Sequence, residues 1–384
     1  MTSNRWLILA VLFFARLTMA FQFQSVAALS PLLVAEFGIG LADIGFLIGL
    51  YFAPGLIFAL PGGAVAARFG DKRVVSFGLL LMLLGGAIIA ATTSWDAMIA
   101  GRFIAGTGGV ILNVIMTKMV VDWFAGREMS TAMAVFVNSW PVGIAVSLVA
   151  LPLLASSGGI TFAWWALWAL IAAGFVLFAL MYHPPEGVAA GGAPLTIKRA
   201  AFPVAGLALA SLVWALYNAA LATVFSFGPA VLVQQGWSLT SAGSLISLFM
   251  IIFSIAVPIG GVIADRTGRK DMIILVGLIS FAVLMPLIIY VPASAFVVIC
   301  TIGVLFAFGA GPMMTLPAEV LTPESRSFGM GVFFTIYYGL MMIAPRIAGG
   351  VADAAGDAGK AILVGAVMSL LGEGALLLFR RITT

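Results

Sequence analysis

Charge is what this sequence has least of. Lys, Arg, Asp and Glu together make up 8% of its residues, against about 25% in soluble domains. A water-facing surface cannot be assembled from so few charges, which excludes a soluble globular protein. A single cysteine, Cys300, excludes a disulfide framework, a cysteine-zinc site and an iron-sulfur cluster within one chain. A single histidine, His183, leaves metal chemistry almost no ligands, so neither a metal nor a cofactor is expected. The sequence has no Gly-x-x-x-x-Gly-Lys-Ser/Thr phosphate loop and no His-Glu-x-x-His pair, and no enzymatic activity is expected. Basic residues are divided among short loops and do not cluster on one face, which argues against nucleic acid as a partner.

What the chain does have is apolar residues, at 63% of the total. Crossing a hydrocarbon core of about 30 Å takes about 20 of them in a helix. With charges and turn residues as boundaries, twelve such runs appear: 6–29, 42–66, 74–94, 97–120, 130–154, 160–182, 201–227, 239–264, 272–291, 294–317, 327–351 and 359–379. Their length predicts helices and not barrel strands, which would alternate over about ten residues. The first run has no small-residue cleavage site with a mature domain behind it, and reads as a span rather than a removable signal. Placing the N-terminus inside collects thirteen Lys and Arg on one side, from Arg5 to Arg381, and only Lys360 on the other. That asymmetry predicts a cytoplasmic-membrane protein with both termini cytoplasmic. The expected surroundings are a lipid bilayer and the expected state is a monomer.

The chain also repeats itself. Gly63-Ala64-Val65-Ala66-Ala67-Arg68-Phe69-Gly70-Asp71-Lys72-Arg73 returns 198 residues later as Gly261-Val262-Ile263-Ala264-Asp265-Arg266-Thr267-Gly268-Arg269-Lys270. Each copy separates two apolar runs, and Arg127 and Arg326 repeat nearly the same offset. The period predicts two similar halves: a bundle over 1–182, a Pro- and Gly-rich linker over 183–199, and a bundle over 200–384. In its second copy the motif fits Gly-x-x-x-Asp-Arg-x-Gly-Arg-Lys throughout, and Arg102-Phe103-Ile104-Ala105-Gly106 fits Arg-x-x-x-Gly. On these residues the chain resembles the major facilitator superfamily. The resemblance implies an all-α membrane fold of two six-helix bundles and transport by rocker-switch alternating access. It also implies that Gly63, Arg68, Gly70, Gly261, Asp265, Arg266, Gly268 and Arg269 form gating loops. The first copy departs from the pattern at Ala67 and Asp71.

Ionisable groups inside the spans carry the functional reading, because each costs several kcal/mol unless paired, hydrated or bound to ligand. Arg16 lies about 15 Å into the first span, near the midplane. It either bonds helix carbonyls and polar neighbours or points into a hydrated cavity and binds an anionic group. Gln22 and Gln24 follow it, as cavity amides or as bonds to a neighbouring helix. Arg102, Gly106, Gly109 and Asn113 share one face of the fourth span, suited to a cavity wall or to a tight seam. Arg102 itself could contact ligand or snorkel outward. Arg346, toward the periplasmic end of its span, is the C-terminal counterpart, binding ligand, snorkelling outward or forming a gate, with Tyr337 and Tyr338 nearby. Trp214, Tyr217 and Asn218 are candidates for the opposite wall. Among carboxylates, Glu373 alone interrupts a long apolar run. Asp122 and Glu319 are expected in ion networks at matching cytoplasmic ends.

Arginines with so few carboxylates favour an anion. The expected substrate is a small organic carboxylate or inorganic anion, exchanged for a counter-anion, carried alone, or moved with a proton. The alternative is a proton-driven efflux antiporter for drugs or metabolites. Span five carries Asn138-Ser139-Trp140-Pro141-Val142-Gly143 and lacks the Gly-Pro pair of such effluxers.

Overall fold

The computed structural model describes residues 4–58, 69–124, 128–185, 204–321 and 326–383. These residues are almost entirely helical, with no strand among them. Eleven helical runs are long and apolar enough to cross a membrane. One of them, Val135–Met181, contains two spans, because Gly159 alone breaks its helical dihedrals at φ 80°, ψ 171°. Twelve spans therefore emerge, as the apolar runs predict.

The first half comprises α1 (Arg5–Ala28), α2 (Ser30–Phe37), α3 (Leu41–Leu50), α4 (Gly55–Phe58), α5 (Asp71–Ala91), α6 (Trp95–Phe124) and α7 (Met129–Met181). The second comprises α8 (Val204–Gln234), α9 (Leu239–Thr267), α10 (Lys270–Leu284), α11 (Leu287–Tyr290), α12 (Ala295–Leu305), α13 (Ala310–Met313), α14 (Leu316–Val320), α15 (Arg326–Ala355) and α16 (Gly359–Thr383).

Three predicted spans are interrupted at prolines; the ninth breaks at Met285-Pro286, between α10 and α11. The second pauses over 51–54, where Pro54 has no amide to donate to the Leu50 carbonyl. The tenth, read as one helix over 294–317, is a chain of short pieces: α12, a 3-10 turn at Ala307–Gly309, α13 and α14. Gly309, Gly311, Pro312 and Pro317 lie at those joints.

Contacts divide the chain into two compact units. The first takes the described residues up to Ser25 and from Leu50 to Pro185, and the second takes Val26–Gly49 and everything described from Val204 onward. By contacts, the end of α1, all of α2 and most of α3 group with the second half.

In the first unit, α5 and α6 pack through paired glycines. A Cβ on Gly85 would fall on the Gly101 carbonyl oxygen, and one on Gly108 would fall on that of Gly78. Phe23 of α1 stacks on Trp140 of α7 with ring centroids 5.1 Å apart, and meets Tyr51 edge-on at 5.6 Å. In the second unit α8 runs through the core, buried along most of its length. It packs on α15 and α16.

Both loop glycines of the repeated motif have left-handed backbone. Gly70 has φ 85° and Gly268 φ 66°, and Gly268 ends α9 by donating its amide to the Ala264 carbonyl at 3.0 Å. A residue with a Cβ adopts that conformation only at a cost, which accounts for glycine at the same place in both copies.

Candidate functional site

Arg16 sits half-buried in α1, and its guanidinium is engaged by the protein. Nε donates to Asn113 Oδ1 at 3.1 Å. Nη1 donates to the Phe136 and Val137 carbonyls and to Ser139 Oγ, at 3.1, 3.0 and 3.2 Å. The ring of Phe136 lies 4.8 Å from the guanidinium carbon. The Val137 carbonyl is available for a physical reason. Pro141, four residues later, has no amide to close the helical bond, and Arg16 supplies the missing donor. These four acceptors are neutral and help to solvate the charge.

Arg102 neither snorkels nor opens to a cavity. It is 0% exposed, and Nη1 and Nη2 donate to the Gln22 and Phe23 carbonyls at 2.7 and 2.6 Å. The Tyr51 ring covers it at 4.5 Å. Glycine at 106 makes this burial possible, because a Cβ there would meet the Tyr51 backbone at 2.5 Å. The residue ties α6 to α1 and holds the chain at Tyr51 over both. Gln22 joins the same cluster, donating Nε2 to the Met82 carbonyl at 2.9 Å and accepting from the Tyr51 hydroxyl at 3.5 Å. Gln24 is fully buried. The structure thus brings Arg16 to Asn113, and Arg102 to the backbone of Gln22, as two clusters that brace helices.

Arg346 differs. It is exposed on α15, with its guanidinium carbon 5.0 Å from the Phe46 ring centroid. Among the described residues it has no hydrogen-bond or ion-pair partner. Nine residues separate it from the end of α15, about 13 Å along the axis. Tyr338, two turns earlier, is 3% exposed and packs against Phe334 and Tyr337. Tyr217 is buried, donating to the Phe306 carbonyl at 3.0 Å and stacking on its ring at 4.1 Å. Asn218 turns back on its own helix and donates to the Trp214 carbonyl at 2.8 Å. Trp214 stacks on Tyr217 at 5.8 Å, and among the described residues neither Tyr217 nor Asn218 makes a hydrogen bond or ring contact with a candidate outside α8.

Ion networks occupy the ends of the fourth and tenth spans, as the sequence predicts for Asp122 and Glu319. Lys118 bridges Asp71 and Asp122 at 2.7 and 2.8 Å. Glu319 takes Lys270 at 2.9 Å and also Arg380, which reaches Asp271 at 2.6 Å. Asp71, where the first motif copy departs from its pattern, is therefore the partner of Lys118.

The sequence profile of the Major Facilitator Superfamily matches residues 12–345. The chain belongs to that superfamily. It is a multi-pass membrane protein of a superfamily of transporters. Its fold is shared by a solved bacterial homolog of the human lysosomal transporter Spinster, with a TM-score of 0.78 at 14% identity over 97% of this chain and 96% of that one. An uncharacterized transporter of Buchnera aphidicola is 28% identical over 36% of this chain and 34% of its own length. The "Probable anion transporter 4, chloroplastic" of Arabidopsis thaliana is 31% identical over 32% of this chain and 22% of its own. Zebrafish (Danio rerio) "Lysosomal dipeptide transporter MFSD1" is 22% identical over 92% of this chain and 82% of its own. The chain thus matches 34% and 22% of the lengths of the first two relatives.

For a member of this superfamily the motif loops are of interest as gates. Gly63 and Arg68 lie outside the described residues, as does Arg127. Asp265, Arg266 and Arg269 are exposed and make no side-chain hydrogen bond or ion pair among the described residues. Gly261 is partly exposed, and a Cβ there would meet nothing within 4 Å. Sequence reasoning overlooked Phe46, Tyr51 and the Val137 carbonyl. The last was legible as the residue four before Pro141, and the aromatic residues carried no signal apart from their type.

Proposed function

We propose that this transporter carries small anions, carboxylate-bearing organic anions first, by alternating access between two six-helix bundles over 1–182 and 200–384. The observation that carries the reading is Arg346: an intramembrane guanidinium, exposed, seated on an aromatic ring, with no protein acceptor among the described residues. Such a group costs several kcal/mol in a membrane unless something answers its charge, and a planar carboxylate does so through two parallel hydrogen bonds. Arg16, held by Asn113, Ser139 and two carbonyls, would act at longer range. Arg102, with both terminal nitrogens on carbonyls, serves the scaffold. The named relatives are compatible: one is called an anion transporter, and a dipeptide ends in a carboxylate.

The test is uptake of a panel of organic and inorganic anions into vesicles reconstituted with the protein. Arg346→Gln should lower uptake of the preferred anion about tenfold to a hundredfold, since a hydrogen bond to a charged group is worth about 1.5–3 kcal/mol. The anion should also raise the melting temperature of the wild type and not of the variant. Undiminished uptake by Arg346→Gln would overturn the assignment.

One observation speaks for proton-driven efflux. Glu373 is half-buried in α16, without a hydrogen-bond or ion-pair partner among the described residues, and a membrane carboxylate in that condition can carry a proton. On the reading favoured above, Glu373→Gln leaves both the rate of anion uptake and its pH dependence unchanged. Loss of pH dependence would move the reading toward proton coupling.

A further inference from the structure

Within the second compact unit, α3 lies against α15 at backbone distance. A Cβ on Gly45 would fall on the Pro345 carbonyl, one on Gly49 on that of Met342, and one on Gly349 on that of Leu41. Three glycines thus let two helices touch without intervening side chains. At the end of this seam stands Asp353, whose carboxylate spans the first turn of α3. Oδ1 accepts from the Leu41 amide at 2.8 Å, and Oδ2 from the Ala42 amide at 2.7 Å. Gly40 gives the carboxylate room, since a Cβ there would collide with Oδ2. The first amides of a helix have no partner within it and carry the positive end of its dipole. Here the carboxylate that answers them comes from a helix more than 300 residues away in sequence.

We infer that Asp353 is a releasable latch: it holds the start of α3 on α15 in one transport state, and that contact parts in the opposite state. Three features support this reading. At Gly45, Gly49 and Gly349 the seam is backbone against backbone, and beside the carboxylate, among the described residues, only the small residues Ala348 and Ala352 of α15 meet Leu41 in an apolar cluster. The bond is made to backbone amides, which water satisfies equally well when the seam opens. The sequence places Asp353 at the end of the membrane that carries only Lys360, away from the repeated motif loops, so the latch and those loops lie at opposite ends of the spans. The inference rests on the alternating-access part of the proposed function but not on the choice of anion.

The cross-linking arm of the test needs no substrate. An ideal Cβ on Gly350 lies 3.9 Å from the Ala42 Cβ, within the range of a disulfide. In a Cys300→Ser background, Ala42→Cys with Gly350→Cys should cross-link under mild oxidation and be released by reductant. Adding Asp353→Asn, which keeps the shape but loses the charge and one acceptor, should slow cross-linking roughly fivefold to tenfold. Melting temperature, read alongside, separates release of the latch from failure to fold. Unchanged cross-linking in a well-folded Asp353→Asn variant overturns the latch. A cross-linked protein that still transports at the full rate overturns the parting of the seam. Failure of anion uptake in the uncross-linked parent bears only on the choice of cargo.

Discussion

Arg102→Glu should yield no folded protein, and Arg102→Ala should lose about 3–5 kcal/mol, the range for emptying a large buried site. Arg102 has no exposed surface, two bonds to α1 carbonyls and an aromatic lid. Glutamate would set a carboxylate against the oxygens of Gln22 and Phe23, with no donor to replace the guanidinium. Alanine would leave a void under Tyr51. Methionine, which fills much of the space and buries no charge, should recover at least half of the alanine loss, because both carbonyls keep their helical bonds. The measurement is thermal unfolding of purified protein in detergent, with size-exclusion chromatography to count the folded fraction of the glutamate variant. A wild-type melt for Arg102→Ala would mean that Arg102 does not brace α1 against α6.

Gly85→Val should be nearly as damaging, at about 3 kcal/mol or more. Overpacking usually costs about 1–3 kcal/mol because a neighbouring side chain can shift. At Gly85 the obstacles are the Gly101 carbonyl oxygen and the Ala105 amide nitrogen, so the whole of α6 would have to retreat. Gly374→Ala is the matched control. It is also a helical glycine, but a Cβ there meets nothing within 4 Å. It should be neutral or stabilise by up to about 1 kcal/mol, the ordinary helix-propensity difference between Gly and Ala. Equal melting temperatures for the two variants would show that the α5–α6 seam has enough play to admit a side chain.

Among the described residues the apolar runs placed most span ends to within a few residues, because a bilayer imposes its length on any helix that crosses it. Their interruptions were less legible. Pro54 and the Gly309 to Pro317 series are visible in sequence, but whether a membrane helix bends or breaks at a proline depends on what satisfies the freed carbonyl. At Pro141 that group is Arg16, and the helix continues past Val137. Depth along a span was readable and direction around it was not. Arg102 was placed near a surface by counting residues, yet it is enclosed because Gly106 lets Tyr51 close over it. The division between units was hidden for a similar reason. Glycines 45, 49 and 349 read as three small residues, and only the fold reveals that they meet backbone on another helix.

The reversal at Gly159 has a mechanical consequence. Spans five and six are joined by one non-helical residue in a run of 53, so there is no slack between them. A pull on the near end of either is delivered at once to the other, and the pair behaves as a stiff lever. A tag inserted there would force the two arms apart instead of hanging free.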